Sequence, residues 1–203
     1  MKHYAANKIP SILGYKFLSG AVIPRPIAWV VTKNKENGIT NAAPFSFFNV
    51  VAPNLVSISI LGGPYGRKDT ARNLLENGEA VIHLVNHKNV EEMNQTSASL
   101  SPLESEITQN SLETIQSETV TPPSLKNADI RMEVKLHQHI PVEKDGTLVS
   151  ELFLLEVVEY YFNEEIFDEE HAYIIPEKFR PLGRLAGSDY VEFGEVFALE
   201  RPR

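Results

Sequence analysis

Apolar and polar residues alternate along much of this chain with the two-residue period of β-strands. The clearest example is Leu55–Leu61, where three branched apolar residues alternate with two serines. Such alternation predicts a strand with one buried face and one small, polar face. By the same criteria, we predict further strands over Ile27–Thr32, Ile39–Phe45, Ala80–Val85, Ile130–His139, Leu148–Tyr161 and Val191–Leu199.

Helical signals are few. Asp69 is suited to cap a short helix over Thr70–Asn77, and Gly78 follows where helices often end. A second short helix is predicted over Val90–Ala98. Residues 99–126 are rich in Ser, Thr, Glu and Pro, which predicts a partly mobile helix-and-loop insertion in a single domain spanning 1–203. Many strands with short connections favour a β-barrel over a doubly wound α/β sheet.

Composition narrows the chemistry. The 203 residues include no cysteine, which excludes disulfides, thiolate metal sites and thiol nucleophiles. Redox chemistry would therefore require a bound cofactor. The net charge of -8 disfavours nucleic acid and anionic membranes as partners. Because no long apolar run is present, we expect a cytoplasmic protein.

One group of residues is suited to bind phosphate. The stretch Gly66–Thr70 places two cations immediately before a predicted helix, whose first N–H groups bind anions readily. Lys68 would add a point charge and Thr70 a hydroxyl donor, while Arg25 could present a bidentate fork to a phosphate oxygen. The alternative interpretation is a solvated loop in which Asp69 merely caps the helix.

A second group is suited to bind a flat heteroaromatic ring. The segment Asn41–Asn49 is apolar, yet it contains three hydrogen-bonding side chains between and beside three phenylalanines. These residues are Asn41, Phe45, Ser46, Phe47, Phe48 and Asn49. A ring needs apolar walls on its faces, which Trp29 or a phenylalanine could provide, and hydrogen bonds at its edge. The alternative is a return strand that fills the core with phenylalanine.

Four segments in order resemble the flavin reductase-like, FMN-binding split-barrel family, particularly its flavoredoxin-like branch. They are Arg25–Thr32, Thr40–Asn49, Lys68–Asn73 and Arg180–Phe197. The resemblance implies a mainly β fold, a six-stranded Greek-key split β-barrel with a few short helices. It also implies a homodimer that binds FMN in a groove near the dimer interface.

The resemblance further implies a set of FMN-binding residues. Main-chain groups of the segment Asn41–Ala43 and of the turn Phe45–Asn49 would hold the ring, and the Lys68–Thr70 motif would hold the phosphate. The C-terminal tail would close over the flavin. The expected cofactor-binding residues are Arg25, Asn41, Ala42, Ala43, Phe45, Ser46, Phe47, Phe48, Asn49, Lys68, Asp69, Thr70, Leu185 and Tyr190.

No catalytic acid–base pair or nucleophile stands out, as expected where a cofactor carries the chemistry. The pair His137 and His139 faces one way on a predicted strand, but two histidines alone do not define a metal site. We expect an oxidoreductase of flavin reductase type that uses NADH or NADPH. The alternative is an FMN-bearing electron-transfer protein that has no small-molecule substrate of its own and serves a redox partner protein. Steady NADH or NADPH consumption with free flavin distinguishes the two.

Overall fold

Strands make up most of the regular structure. The computed structural model describes residues 1–63 and 66–202. Its strands are β1 (Ala28–Lys33), β2 (Thr40–Phe45), β3 (Phe48–Ala52), β4 (Leu55–Leu61), β5 (Glu79–Leu84), β6 (Thr114–Ile115), β7 (Ser124–Leu125), β8 (Ile130–Lys144), β9 (Thr147–Phe162), β10 (Phe167–Asp168), β11 (Tyr173–Ile174), β12 (Leu182–Arg184) and β13 (Tyr190–Glu192). Its α-helices are α1 (Ser11–Ala21), α2 (Asp69–Asn77), α3 (Val90–Gln95), α4 (Glu106–Gln109) and α5 (Pro176–Phe179). None of these described helices is long and apolar enough to cross a membrane.

The main sheet is antiparallel, with the strand order β2-β1-β5-β8-β9-β4-β3. Its two edge strands, β2 and β3, are separated along the chain by only Ser46 and Phe47. The Ser59 N–H donates to the Phe47 carbonyl at 2.8 Å, which holds this link against β4. If β2 and β3 are counted as one interrupted strand, six chain segments form the sheet. This arrangement agrees with the predicted six-stranded split barrel.

The inner face of the sheet holds the main apolar core. Alternation along β4 buries Val56, Ile58 and Ile60, as its sequence predicts. Helix α2 packs Ala71 and Leu74 into the same cluster. Burial of these apolar side chains supplies the main driving force for the fold. Because its side chains Ala71 and Leu74 are part of this core, α2 has a fixed position beside β1 and β2.

The boundaries of α2 differ from the prediction at one end. Gly78 has the left-handed backbone conformation, with φ of 72°, as expected for the residue that ends a helix. At the start, however, Lys68 is the residue before the first helical turn and no side chain caps the helix. Asp69 is the first helical residue, and its carboxylate pairs with Arg72 at 2.5 Å. The prediction that Asp69 caps α2 was therefore wrong.

Residues 99–126 include α4, β6 and β7, and hydrogen bonds from the barrel hold this segment in place. The imidazole of His83 donates from Nδ1 to the Trp29 carbonyl at 3.0 Å and accepts from the Leu125 N–H at 2.8 Å. Because the ring is fully buried, desolvation lowers the pKa of His83 to about 4. The neutral ring thus joins β5 to β7.

The carboxylate of Glu133 makes a second connection to this segment. It accepts from the N–H of Glu118 at 2.8 Å and from the N–H and hydroxyl of Thr119, both at 2.6 Å. Burial by itself would raise the pKa of Glu133, but these hydrogen bonds to the ionised form outweigh it and lower that pKa. The segment is consequently tied to β8 as well as to β5.

Two elements depart from the sequence-based expectations. Helix α1 was not predicted from its apolar pattern. The predicted strand over Val191–Leu199 was wrong for most of its length, because β13 ends at Glu192 and residues 193–202 have no regular structure. By contrast, β8 and β9 form a longer hairpin than expected. Its turn residues Asp145 and Gly146 both have positive φ, of 53° and 74°, as a two-residue hairpin requires.

Candidate functional site

A cavity of about 290 Å³ lies among three parts of the protein. Strand β2 contributes Asn41, Ala43 and Pro44 to its wall. The start of α2 and the residues before it contribute Gly63, Gly66–Thr70 and Arg72. The third wall comes from Thr96–Leu100, Pro102 and Glu106. Residues 99–126, whose role was open from the sequence, therefore supply part of this cavity.

Three cations line the cavity, and their partners differ. The Arg67 guanidinium binds both carboxylate oxygens of Glu151 through Nε, at 3.1 and 3.0 Å. Arg72 is paired with Asp69. Lys68 has no carboxylate within salt-bridge distance among residues 1–63 and 66–202, and its Nζ lies 5.7 Å from the centre of the Phe45 ring. The positive charge of Lys68 is consequently the one that remains available to an anionic ligand.

The floor of the cavity is a buried hydrogen-bond network. The Asn41 Oδ1 accepts from the Thr70 hydroxyl at 2.7 Å. Its Nδ2 donates to both carboxylate oxygens of Glu106, at 3.1 and 3.0 Å, and the Ala42 N–H donates to Glu106 Oε2 at 3.1 Å. The hydroxyl hydrogen of Thr70 is therefore already used within the protein, although the sequence suggested it as a phosphate donor.

Glu106 is a cavity residue that the sequence did not indicate. Burial raises the pKa of its carboxyl group, hydrogen bonding from the backbone N–H groups of Glu106 itself and Ala42 and from the Asn41 amide opposes the rise, and the negative charge of Asp69 adds slightly to it. Its donors lie 64 and 65 residues earlier in the chain. No local spacing could connect Glu106 with β2, so only the fold reveals this contact.

Arg25 lies outside the cavity wall and is buried by other contacts. Its Nη1 donates to the carbonyls of Ser19 at 2.5 Å and Val22 at 2.7 Å. Its Nη2 donates to the carbonyl of Leu185 at 2.8 Å, and its Nε to the hydroxyl of Ser46 at 3.3 Å. The guanidinium therefore joins α1, the link between β2 and β3, and the C-terminal tail.

The three phenylalanines of the predicted ring-binding segment do not form one wall. Phe45 is buried in the main core, and Phe48 packs against the same core. Phe47 is half-buried, with Arg25 at 5.8 Å and the ring of Tyr15 at 6.3 Å from its centre. The interpretation of core phenylalanine thus describes Phe45 and Phe48, whereas Phe47 lies beside α1.

The remaining predicted residues lie in local contacts of their own. Asn49 is exposed, and its side chain accepts from the N–H of Val50 at 2.8 Å. The Tyr190 hydroxyl donates to Asn94 at 3.1 Å. Of the fourteen expected cofactor-binding residues, those that line the cavity are Asn41, Ala43, Lys68, Asp69 and Thr70. The structure does not bring the others to its wall.

Comparison with known proteins identifies the family. Residues 19–183 match the family model described as the flavin reductase like domain. The chain belongs to this family. The match includes every residue that lines the cavity. The predicted family is thereby confirmed, and so is the split-barrel fold that this flavin reductase-like protein was expected to adopt.

Three relatives show how closely this flavin reductase-like chain follows known ones. It is 44% identical over 202 residues to the uncharacterized protein YwrF of Bacillus subtilis strain 168, covering 98% of each chain. The solved nitrilotriacetate monooxygenase component B from Bacillus cereus is 39% identical, with a TM-score of 0.93 and 98% of each chain covered. The 2-nitrobenzoate 2-nitroreductase NbaA from Pseudomonas fluorescens is 30% identical, with a TM-score of 0.88, over 99% of this chain and 96% of that one.

Proposed function

We propose that this protein is an FMN-binding oxidoreductase of flavin reductase type that takes reducing equivalents from NADH or NADPH in the cytoplasm. One observation carries the proposal. The cavity, in a domain of the flavin reductase like family, combines an unpaired lysine and a helix start with apolar surface from β2. A phosphate needs the lysine and the helix start, and the rest of a flavin needs the apolar surface.

The residues present fit an FMN group. Lys68 and the first N–H groups of α2 would hold the phosphate, because neither the lysine charge nor these donors are used elsewhere among the described residues. Ala43 and Pro44 would pack against the apolar parts of the ligand. When bound, FMN would supply hydride and single-electron chemistry. The protein would supply binding, orientation and the surrounding charge.

The test begins with the purified protein. We expect a visible flavin absorption spectrum, FMN on release by denaturation, and restoration of the spectrum when FMN is added back. We also expect steady NADH or NADPH oxidation in the presence of excess free flavin. A colourless protein that fails to bind added FMN would contradict the cofactor proposal.

A second candidate is an electron-transfer protein, and one comparison favours it. The relative from Bacillus cereus is named as one component of a monooxygenase, which suits a protein that works with a partner. In contrast, the relative from Pseudomonas fluorescens is named as a nitroreductase. An FMN-loaded protein that oxidises neither NADH nor NADPH, with or without free flavin, would favour the electron carrier.

We further propose that two copies of the chain form a homodimer. Helix α1 exposes an apolar row at a spacing of three residues, Ile12, Tyr15 and Leu18, and Val22 just beyond its end is exposed as well. Strand β3 also exposes Val50 and Val51, and the ring of Tyr15 in α1 lies 6.3 Å from that of Phe47, the residue before β3. Exposed apolar residues grouped in this way are typical of protein interfaces.

Light scattering on the eluting protein tests the dimer. Leu18→Lys places a charge within the apolar row, so we expect it to convert the dimer to a monomer. Leu103→Lys is the matched control, because Leu103 is also exposed but lies in the segment before α4. A wild-type protein that elutes with the mass of one chain would refute this proposal.

A further inference from the structure

Glu106 has acceptor capacity that the fold leaves unused. Its side chain lines the cavity, although the residue is only 5% exposed. A carboxylate offers about four lone-pair positions. Oε2 accepts from both Asn41 and Ala42, whereas Oε1 accepts only from Asn41 among the described residues. Oε1 is therefore satisfied by one donor and keeps a lone pair that a ligand donor could use.

The network also fixes the position of Glu106 relative to the phosphate end. Two hydrogen bonds, through Asn41, connect Glu106 with Thr70 in the first turn of α2. A ligand whose phosphate lies at this helix start would therefore bring its neighbouring atoms toward Glu106. Asn41 acts as a positioning residue here, because its amide holds the carboxylate on one side and the Thr70 hydroxyl on the other.

The charge of Glu106 decides which ligand group fits beside it. A phosphate or a ring carbonyl presents only acceptors and would be repelled by a carboxylate. A hydroxyl presents a donor and would be bound. In FMN, the part that adjoins the phosphate is the hydroxylated ribityl chain, while the N–H donor of the oxidised ring lies at its far edge.

We propose that Glu106 accepts a hydrogen bond from a ribityl hydroxyl, and that this contact makes the cavity selective for flavins with a polyol chain. The inference rests on the proposed FMN binding and adds a residue and a selectivity to it. It assigns to Glu106 a role in ligand choice. The chemistry of the ring would not depend on Glu106.

The test compares FMN with an analogue in which a pentyl phosphate chain replaces ribityl phosphate at N10. The analogue keeps the ring and the phosphate but lacks the hydroxyls. We expect wild-type protein to bind FMN about tenfold more tightly than the analogue, the effect of one hydrogen bond to a charged group. In Glu106→Gln, this preference should fall to less than about threefold. Fluorescence titration measures all four affinities, and none of them depends on turnover.

Two further variants make the comparison specific. Glu104→Gln changes an exposed carboxylate two residues away, which binds Gln109 and the Ser101 N–H, and it should keep the full preference. Glu106→Asp retains the charge and replaces Glu106→Gln in the comparison if that variant does not fold. Because its carboxylate is withdrawn from the cavity by one methylene, it should also reduce the preference.

The outcomes separate the two proposals. If wild-type protein binds neither ligand, FMN binding itself is wrong. If it binds both equally, or if Glu106→Gln keeps the tenfold preference, FMN binding stands and the role of Glu106 is overturned. Equal weakening of both ligands in Glu106→Gln would likewise overturn it, because that result indicates a general change in the cavity.

Discussion

Two cations of this protein, Arg25 and Lys68, look equally suited to bind a phosphate in the sequence, and the structure gives them opposite surroundings. Arg25 is buried and donates to three carbonyls and one hydroxyl. Lys68 is exposed at the cavity and has no carboxylate partner in the described part of the chain. Because a ligand can bind only to donors that the protein leaves unused, the two residues should fail in different ways when they are replaced.

The same contrast separates the two ends of the predicted site. The donors of Arg25 are taken up by carbonyls of α1, its end and the C-terminal tail and by the Ser46 hydroxyl, and the ring nitrogens of His83 are likewise bonded within the protein. Near Lys68, the first N–H groups of α2 and one oxygen of Glu106 are still available. A polar residue that is fully bonded contributes to stability, and one that is partly bonded can contribute to function.

The largest expected effect comes from Arg25→Ala. The change leaves the carbonyls of Ser19, Val22 and Leu185 without this donor, and the contact with Ser19 is buried. We expect the free energy of unfolding to fall by about 3 kcal/mol or more. Urea denaturation at a fixed protein concentration measures it. Arg25→Lys keeps the charge but not the several N–H donors of the planar guanidinium, so it should restore less than half of the lost unfolding free energy. A decrease in unfolding free energy of less than about 1 kcal/mol would show that these contacts are not needed for stability.

A smaller effect is expected from acid, through His83. The folded-state pKa of about 4 lies below the ordinary value of 6.5, so the unfolded chain takes up a proton first as pH falls. This contribution is fully present above pH 6.5 and is lost progressively between pH 6.5 and 4. At pH 5 the loss amounts to about 2 kcal/mol. The sign follows because burial disfavours the protonated ring, which also could not accept from the Leu125 N–H.

His83→Gln isolates this contribution. Glutamine can still accept from Leu125, but it does not titrate. The change in unfolding free energy between pH 7.5 and pH 5 should be smaller in the variant by about 2 kcal/mol. Urea titrations at the two pH values measure the difference. Parallel pH dependence in variant and wild type would mean that His83 is protonated at its usual pH in the folded protein.

The smallest expected effect in free energy is that of Lys68→Ala, and it concerns binding alone. We expect about tenfold weaker binding of FMN, equal to about 1.4 kcal/mol, because a charged donor to the phosphate is lost. Unfolding should change by less than about 0.5 kcal/mol, since Lys68 is exposed. Riboflavin lacks the phosphate, so its affinity should stay unchanged, as should the spectrum of the bound ring.

Lys35→Ala provides the matched control, because it removes an equal charge from the exposed turn between β1 and β2. It should leave FMN affinity nearly unchanged. Fluorescence titration of both variants with FMN and riboflavin completes the comparison. Equal FMN affinity in Lys68→Ala and wild type would place the phosphate elsewhere.

The sequence predicted those elements whose conformation is determined by neighbouring residues along the chain. Strand β4 has the predicted bounds, because alternation along Leu55–Leu61 directly reflects which side chains face the core. Gly78 and the hairpin turn at Asp145 and Gly146 were also recognisable, since their backbone conformations restrict the residue type. The family could be predicted because four such segments occur in order.

Other features depend on distant segments and gave no local signal. Helix α1 contains Gly14 and Gly20 and exposes apolar side chains, so its sequence shows no one-sided apolar stripe. Arg25 was recognised as a cation, but three of its four acceptors are carbonyls, which any residue carries. Glu106 belongs to the cavity only because α4 packs against β2. In each case the sequence shows the residue type but not the segment that the residue contacts in the fold.

The short link between β2 and β3 has a topological consequence. Ser46 and Phe47 are the direct covalent connection between the two edges of the seven-stranded sheet, and the strand ladders themselves do not cross this point. Opening the chain there and joining the two ends of this chain by a linker would leave the residues of every strand pairing in place. Such a circular permutant would keep the sheet but lack the covalent link between its two edge strands. It would show how far the shape of the barrel depends on that link.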